Sequence, residues 1–156
     1  MRSFARSTLL AVALSTLTLT AIARADVSDP KSAILARQEG YKKMAAAMKV
    51  LKTQLTSDAP DKAAVAAAAA TIRDTARGQG ALFPPGSGAE AGIKTEALPA
   101  IWADKAKFDS AMATMVEEAG KLVTTVNGGD KDAMIAQAKA LGGSCAACHK
   151  QFRQDT

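Results

Sequence analysis

Five residues near the end of the chain, Cys145-Ala146-Ala147-Cys148-His149, have the residue types and the spacing that attach a haem covalently. Two thiols three positions apart lie on one helical turn, so both can add to vinyl groups along one edge of a flat ring. The histidine that follows then lies below the ring, where its imidazole can reach a central iron. The motif therefore predicts a c-type haem held by Cys145 and Cys148, with His149 as the axial iron ligand.

Two other chemistries also use a C-x-x-C pair. In an oxidising compartment the pair can form a disulfide, and beside a βαβ pattern it can be a thioredoxin-like redox site. The sequence shows no βαβ pattern, and a histidine directly after the second cysteine favours haem. The chain has two cysteines and one histidine, all within the motif, so none is left for a different metal site.

The first 25 residues have the features of a secretory signal peptide. Two arginines form a positive start, an apolar run with interspersed Ser and Thr covers residues 9–22, and Ala23-Arg24-Ala25 matches an A-x-A cleavage site. The run is too short and too polar for a membrane anchor. We therefore expect export to the periplasm, no membrane association after cleavage, and a single mature domain at residues 26–156, long enough to bury an ordinary core.

Removal of residues 1–25 deletes three arginines and no acidic residue, which lowers the formal net charge from +5 to +2. The basic character of the full chain therefore belongs mostly to its signal peptide. No basic run with interleaved aromatic residues follows, so we expect no nucleic-acid binding.

Apolar residues recur every three or four positions in four segments, which predicts four amphipathic helices. The first is expected from Asp29-Pro30, the second over residues 60–82, the third from Pro99 and the fourth after Asp130. The one long connection, rich in Pro and Gly, covers residues 83–98. This arrangement predicts an all-α, up-down-up-down four-helix bundle with the haem in its core near the C-terminal helix.

Some residues on the predicted inner faces are candidates for contact with the haem. Arg37 and Tyr41 lie one turn apart on the first helix. Burial of an arginine side chain is costly unless a negative group pairs with it, so an inward Arg37 predicts such a group. Trp102 adjoins the apolar face of the third helix, as a core residue that can also form a wall of the haem site. Phe152 shares a face of the fourth helix with both cysteines.

The chain resembles the class II c-type cytochromes, and within them the cytochrome c′ family. The resemblance covers the whole mature chain, and its most specific part is the haem motif at the C-terminal end. It is supported by Arg37-Gln38, Leu82-Phe83-Pro84, Pro99-x-Ile101-Trp102 and Phe152-Arg153. It implies one covalent haem c, with Arg37 beside a haem propionate and Arg153 near the proximal histidine.

High-spin members of this family are five-coordinate and bind nitric oxide and carbon monoxide, whereas low-spin relatives use a first-helix methionine as sixth ligand. The residue four positions after Arg37 distinguishes the two types. In this chain it is Tyr41 rather than a methionine, which favours the five-coordinate, gas-binding type. Met44 lies on the same face less than one turn further, so a low-spin electron carrier ligated by His149 and Met44 is the alternative. Ligation by the Tyr41 phenolate, as in catalase, is a third possibility.

The expected function is therefore a periplasmic cytochrome c′ that binds nitric oxide or carbon monoxide, or transfers single electrons to a partner that the sequence does not identify. No acid–base or nucleophilic set of residues appears, so we do not expect an enzyme.

The alanine run at residues 66–70 leaves a flat helix surface. Alanine is also simply a strong helix former, so the run alone does not require an interface, but together with the family resemblance it predicts a homodimer through the first two helices.

Overall fold

The structure, a computed structural model, describes residues 29–154, and the predicted signal peptide at residues 1–25 lies outside this range. Four long helices make up most of the described chain, and a short helix precedes the third of them. In chain order the helices are α1 (Pro30–Leu55), α2 (Lys62–Gln79), α3 (Ala100–Ala103), α4 (Lys105–Gly128) and α5 (Lys131–Phe152). The predicted all-α four-helix bundle is confirmed.

The helix boundaries follow local capping chemistry. The Asp29 side chain accepts a hydrogen bond from the Ser32 N–H at the start of α1, and Asp61 and Asp130 cap α2 and α5 in the same way. At the end of α4, Gly129 adopts the left-handed conformation with a φ of 78°. The predicted boundaries near residues 29 and 130 are correct because these caps depend only on neighbours in sequence.

The second and third helices differ from the prediction at their ends. Helix α2 begins two residues after Pro60, because Asp61 is its cap, and it passes into a short 3₁₀ turn at Gly80–Leu82. The predicted third helix is interrupted at Asp104, where φ is −130° and ψ is 67°, and the Asp104 side chain then caps α4. The apolar spacing continues across this break, since Ile101 and Phe108 are both buried, so periodicity alone does not reveal it.

The helices pack unequally around the core. Helix α1 packs mainly on α2, α4 on α5 and α2 on α4, whereas α1 and α5 touch only sparingly. Edge-to-face aromatic contacts join the long connection to the bundle, with ring centroids 4.8 Å apart for Phe83 and Phe108 and 5.3 Å apart for Phe108 and Phe152. The space between α1 and α5 is therefore left open inside an otherwise close-packed bundle.

Regular β-structure is absent from residues 29–154, apart from a single antiparallel bridge between Ala97 and Arg153. Over the same residues, no helix is long and apolar enough to cross a membrane.

Candidate haem site

A cavity of about 730 Å³ lies between α1 and α5, two long helices that touch only sparingly, and residues of α4 also line it. This volume is in the range of sites that hold small molecules and cofactors. Nearly all the residues predicted for the haem site border it, from two separate parts of the chain. They are Arg37, Tyr41 and Met44 of α1, with Cys145, Cys148, His149, Phe152 and Arg153 at the end of α5.

The two cysteines lie on the face of α5 that meets the cavity. On this face Leu141 and Phe152 are fully buried, whereas both cysteines are only half-buried, because no protein atoms fill the space in front of them. No disulfide joins them, and burial raises the pKa of each thiol. A Cβ atom added to Gly142, one turn earlier, would meet no atom within 4 Å, so a flat group has room beside the backbone.

His149 borders the cavity immediately after the second cysteine. Partial burial lowers the pKa of its imidazole, and the positive charge of Arg153 lowers it further. The neutral imidazole that this favours is the form that binds a metal. The His149 carbonyl accepts a hydrogen bond from the Arg153 backbone N–H at 3.0 Å, which holds this residue in the last turn of α5.

The remaining lining of the cavity suits a large, flat, apolar ring. It is mostly hydrophobic and includes four methionines, Met44, Met48, Met112 and Met115. Methionine side chains adapt to irregular gaps, and their sulfur atoms make favourable contacts with aromatic systems. Thiols and an imidazole on one wall, facing thioethers and a phenol on the other, are a donor set that fits a c-type haem.

Tyr41 lies on the α1 wall of the cavity. Its hydroxyl donates a weak hydrogen bond to the Met112 sulfur at 3.9 Å, and burial raises the pKa of the phenol far above its usual value. Burial thus favours the neutral phenol over the phenolate at this position. Met44, less than one turn further along α1, is buried and borders the same cavity.

Arg37 is buried, with 2% of its surface exposed, and it holds the long connection in place. Its Nη1 donates to the Leu82 carbonyl at 3.2 Å and to Ser87 Oγ at 2.9 Å, and its Nη2 to the Ser87 carbonyl at 2.7 Å and to Thr95 Oγ1 at 2.8 Å. The guanidinium also lies 4.5 Å from the centroid of the Phe83 ring. Its inward direction is therefore explained in part by uncharged oxygen atoms of the protein itself.

Residues 94–98, which we call the strap, connect the two walls of the cavity. From α1, Gln38 Nε2 donates to the Lys94 carbonyl at 2.8 Å. From the end of α5, Arg153 Nε pairs with Glu96 Oε2 at 2.6 Å. The length of the connection at residues 83–98 predicts that it crosses one end of the bundle, but the sequence does not indicate which of its residues contact the two walls.

Trp102 lies outside the cavity, behind one of its walls. Its indole Nε1 donates to the carbonyl oxygens of Phe83 at 3.2 Å and Pro84 at 3.0 Å. The Phe83 ring borders the cavity, so Trp102 supports this wall without forming it. Trp102 is half-buried and packs against the core, and a direct contact between Trp102 and the haem stays a prediction.

A four-helix bundle with a C-x-x-C-H motif on its last helix, facing an apolar cavity, defines a c-type cytochrome of the bundle class. The sequence profile of the family described as Cytochrome C′ matches residues 32–153, which is most of the chain. The chain belongs to the cytochrome c′ family. The cofactor of this family is covalently attached haem c.

Individual relatives agree with this assignment. Cytochrome c′ of Rhodospirillum rubrum is 37% identical over 151 residues, which cover 94% of this chain and 97% of the relative. The crystal structure of cytochrome c′ from Thermochromatium tepidum superposes with a TM-score of 0.75 at 28% identity, covering 81% of this chain and 98% of that one. A nitric oxide complex of a cytochrome c prime variant from Alcaligenes xylosoxidans has a TM-score of 0.73 at 27% identity, covering 82% of this chain and 98% of that one.

Proposed function

We propose that this chain is a periplasmic, five-coordinate, high-spin cytochrome c′ that binds nitric oxide and carbon monoxide or transfers single electrons. The observation that carries the proposal is Tyr41, a neutral phenol at the position where a ligating methionine would close the iron site. Cys145 and Cys148 hold the haem through thioethers and His149 binds its iron. When bound, the haem supplies a one-electron redox couple and a coordination position for a diatomic ligand.

The other lining residues control access and charge. Tyr41, whose hydroxyl donates to the Met112 sulfur, narrows the cavity on its α1 side, and the methionine-rich lining makes the cavity largely apolar. Phe152, Arg153 and Arg37 all border the cavity, and the family resemblance implies a role for Arg37 beside a haem propionate and for Arg153 near the proximal histidine. The role that we propose for the bound haem is ligand binding or electron transfer rather than enzymatic turnover.

Support for a gaseous ligand comes from the relative whose solved structure is a nitric oxide complex. Residues 1–25 support export, because they combine a positive start, an apolar run and a cleavage site. The electron donor or acceptor is a separate redox protein or small molecule that neither the fold nor the site identifies.

The second candidate function is a low-spin electron carrier ligated by His149 and Met44. It is favoured by the burial of Met44, whose side chain borders the same cavity as the cysteines. The two functions differ in one property, namely whether a protein thioether occupies the sixth iron position.

Absorption spectra of the purified holoprotein test the proposal. We expect haem to be covalently bound to the peptide that contains Cys145 and Cys148, a high-spin ferric spectrum, and a spectral change on addition of nitric oxide. Met44→Ala should leave the spin state unchanged, as should the control Met134→Ala, whose side chain lies outside the cavity. A low-spin wild type that becomes high-spin only with Met44→Ala would establish the electron carrier instead.

The proposal includes a homodimer through α1 and α2. Leu35 and Val50 are 58% and 41% exposed, and they are the exposed large hydrophobic residues of the described chain. Both lie on α1, and exposed alanines cover the outer surface of α2 next to it. A related cytochrome c′ of known structure shows ligand-controlled dimer dissociation. Burial of this apolar surface against a second copy removes it from water.

A further inference from the structure

We propose that Lys42 and Lys94 form a pair of propionate-binding residues at the mouth of the haem cavity. The inference rests on the proposed function in one respect, because it requires the haem to be attached at Cys145 and Cys148. It concerns two residues that neither the haem motif nor the family resemblance indicated.

The attachment chemistry determines which side of the cavity receives the propionates. The vinyl groups that react with cysteines and the propionate groups lie on opposite edges of the haem ring. With the vinyl edge fixed at Cys145 and Cys148 on α5, the propionates extend away from these residues, toward α1 and the strap. The polar lining on that side includes Gln38, Lys42 and Lys94.

Both lysines lie next to Gln38, one along α1 and one on the strap. Lys42 follows Gln38 by four residues on α1, so the two side chains are neighbours on the same helix face, with Cβ atoms about 6 Å apart. The Gln38 side-chain Nε2 also donates a hydrogen bond to the Lys94 carbonyl oxygen at 2.8 Å. Both lysines border the cavity, both are exposed, and neither joins an ion pair within residues 29–154.

Lys42 and Lys94 can act beside Arg37, because they are the cationic side chains of the lining without a partner among residues 29–154. Arg37 already donates four hydrogen bonds to the connection between α2 and α3, through both of its terminal nitrogens. Arg153 is paired with Glu96, the one acidic residue of the lining. Two propionates carry two negative charges, and Lys42 and Lys94 supply two positive charges on flexible stems that can reach them.

The test compares lysines that border the cavity with lysines that do not. Lys42→Gln is matched by Lys43→Gln, the next residue of the same helix, and Lys94→Gln by Lys107→Gln on α4. The two control lysines are also exposed and unpaired among the described residues, but neither borders the cavity. The measurements on each holoprotein are the resonance Raman band of propionate bending and the midpoint of a spectroelectrochemical titration.

We expect the propionate band to shift in Lys42→Gln and Lys94→Gln and to stay at the wild-type position in both controls. Loss of a positive charge near the haem favours the ferric state. At the wild-type midpoint potential, the ratio of oxidised to reduced haem should therefore rise about two- to tenfold for each of the two variants. The difference from the controls should shrink at about 1 M salt, where exposed charges are screened.

Two results would overturn the inference, and they are distinguishable. A covalent haem protein in which Lys42→Gln and Lys94→Gln match their controls in both measurements would leave the proposed function intact and remove the propionate pair. A purified protein without covalent haem would remove the proposed function and, with it, this inference.

Discussion

Tyr41 limits the space that the α1 wall of the cavity offers to a ligand. Its ring borders the cavity and its hydroxyl donates to the Met112 sulfur. We predict that Tyr41→Ala speeds carbon monoxide association about tenfold, which corresponds to removal of about 1.4 kcal/mol from the barrier. Flash photolysis of the ferrous carbon monoxide complex measures this rate.

Tyr41→Phe is the matched control, because it removes the hydroxyl and its bond to Met112 but keeps the ring. Its association rate should stay close to that of the wild type. Equal acceleration in Tyr41→Phe and Tyr41→Ala would show that the hydrogen bond, rather than the bulk of the ring, restricts the ligand.

Arg37 acts on stability through the connection that it binds. Arg37→Ala leaves oxygen atoms of Leu82, Ser87 and Thr95 without their charged donor, in a region where Ser87 is fully buried. Since a hydrogen bond to a charged group contributes more than a neutral one, we predict a loss of about 3 kcal/mol in the free energy of unfolding. Urea denaturation of the holoprotein measures it.

Lys43→Ala, an exposed residue of the same helix, should change the free energy of unfolding by less than about 0.5 kcal/mol. Equal effects of Arg37→Ala and Lys43→Ala would mean that the network around Ser87 contributes nothing net to stability.

At the scale of elements, α1 and α2 approach closely where Gly40 faces Gln79. A Cβ atom at position 40 would lie 1.9 Å from Gln79 Nε2, and Gln79 is only 3% exposed, with its Oε1 lacking a partner. We predict that Gly40→Ala lowers the free energy of unfolding by about 1–3 kcal/mol, because the buried amide has little room to move. Shortening the side chain as well, in Gly40→Ala with Gln79→Ala, should restore part of the loss.

Gly120→Ala in α4 is the control for this prediction. A Cβ atom there would meet nothing within 4 Å, so the change should stabilise the protein by about 0.5–1 kcal/mol through helix propensity alone. Stabilisation by Gly40→Ala of the same size would contradict the close approach of α1 and α2.

At the scale of the whole molecule, the exposed apolar residues of α1 predict how copies associate. A glutamate in place of Leu35 or Val50 would bury a charge in the proposed dimer interface. We predict that Leu35→Glu and Val50→Glu sediment as monomers at micromolar concentration, whereas the wild type sediments as a dimer. Ala113→Glu, on an exposed position of α4, adds the same charge and should leave the dimer intact. A monomeric wild type would exclude the dimer.

The sequence by itself determined the features that depend on neighbouring residues. The C-x-x-C-H motif predicts its chemistry from five consecutive positions, and the caps at Asp29 and Asp130 each act over two or three residues. The period of the apolar positions predicts four helices and the faces that they bury. The fold class was therefore predictable, because a bundle joins helices that are already specified locally.

Tertiary structure decided what the polar and irregular parts do. The Arg37 side chain bonds to Leu82, Ser87 and Thr95, which are 45 to 58 positions away, and Arg153 pairs with a residue 57 positions away. No periodic pattern encodes such partners. The strap has almost no regular structure of its own, so its path depends on the side chains that α1 and α5 present once they are packed. Local chemistry thus specifies the helices, and only contacts between distant segments shape the cavity that they enclose.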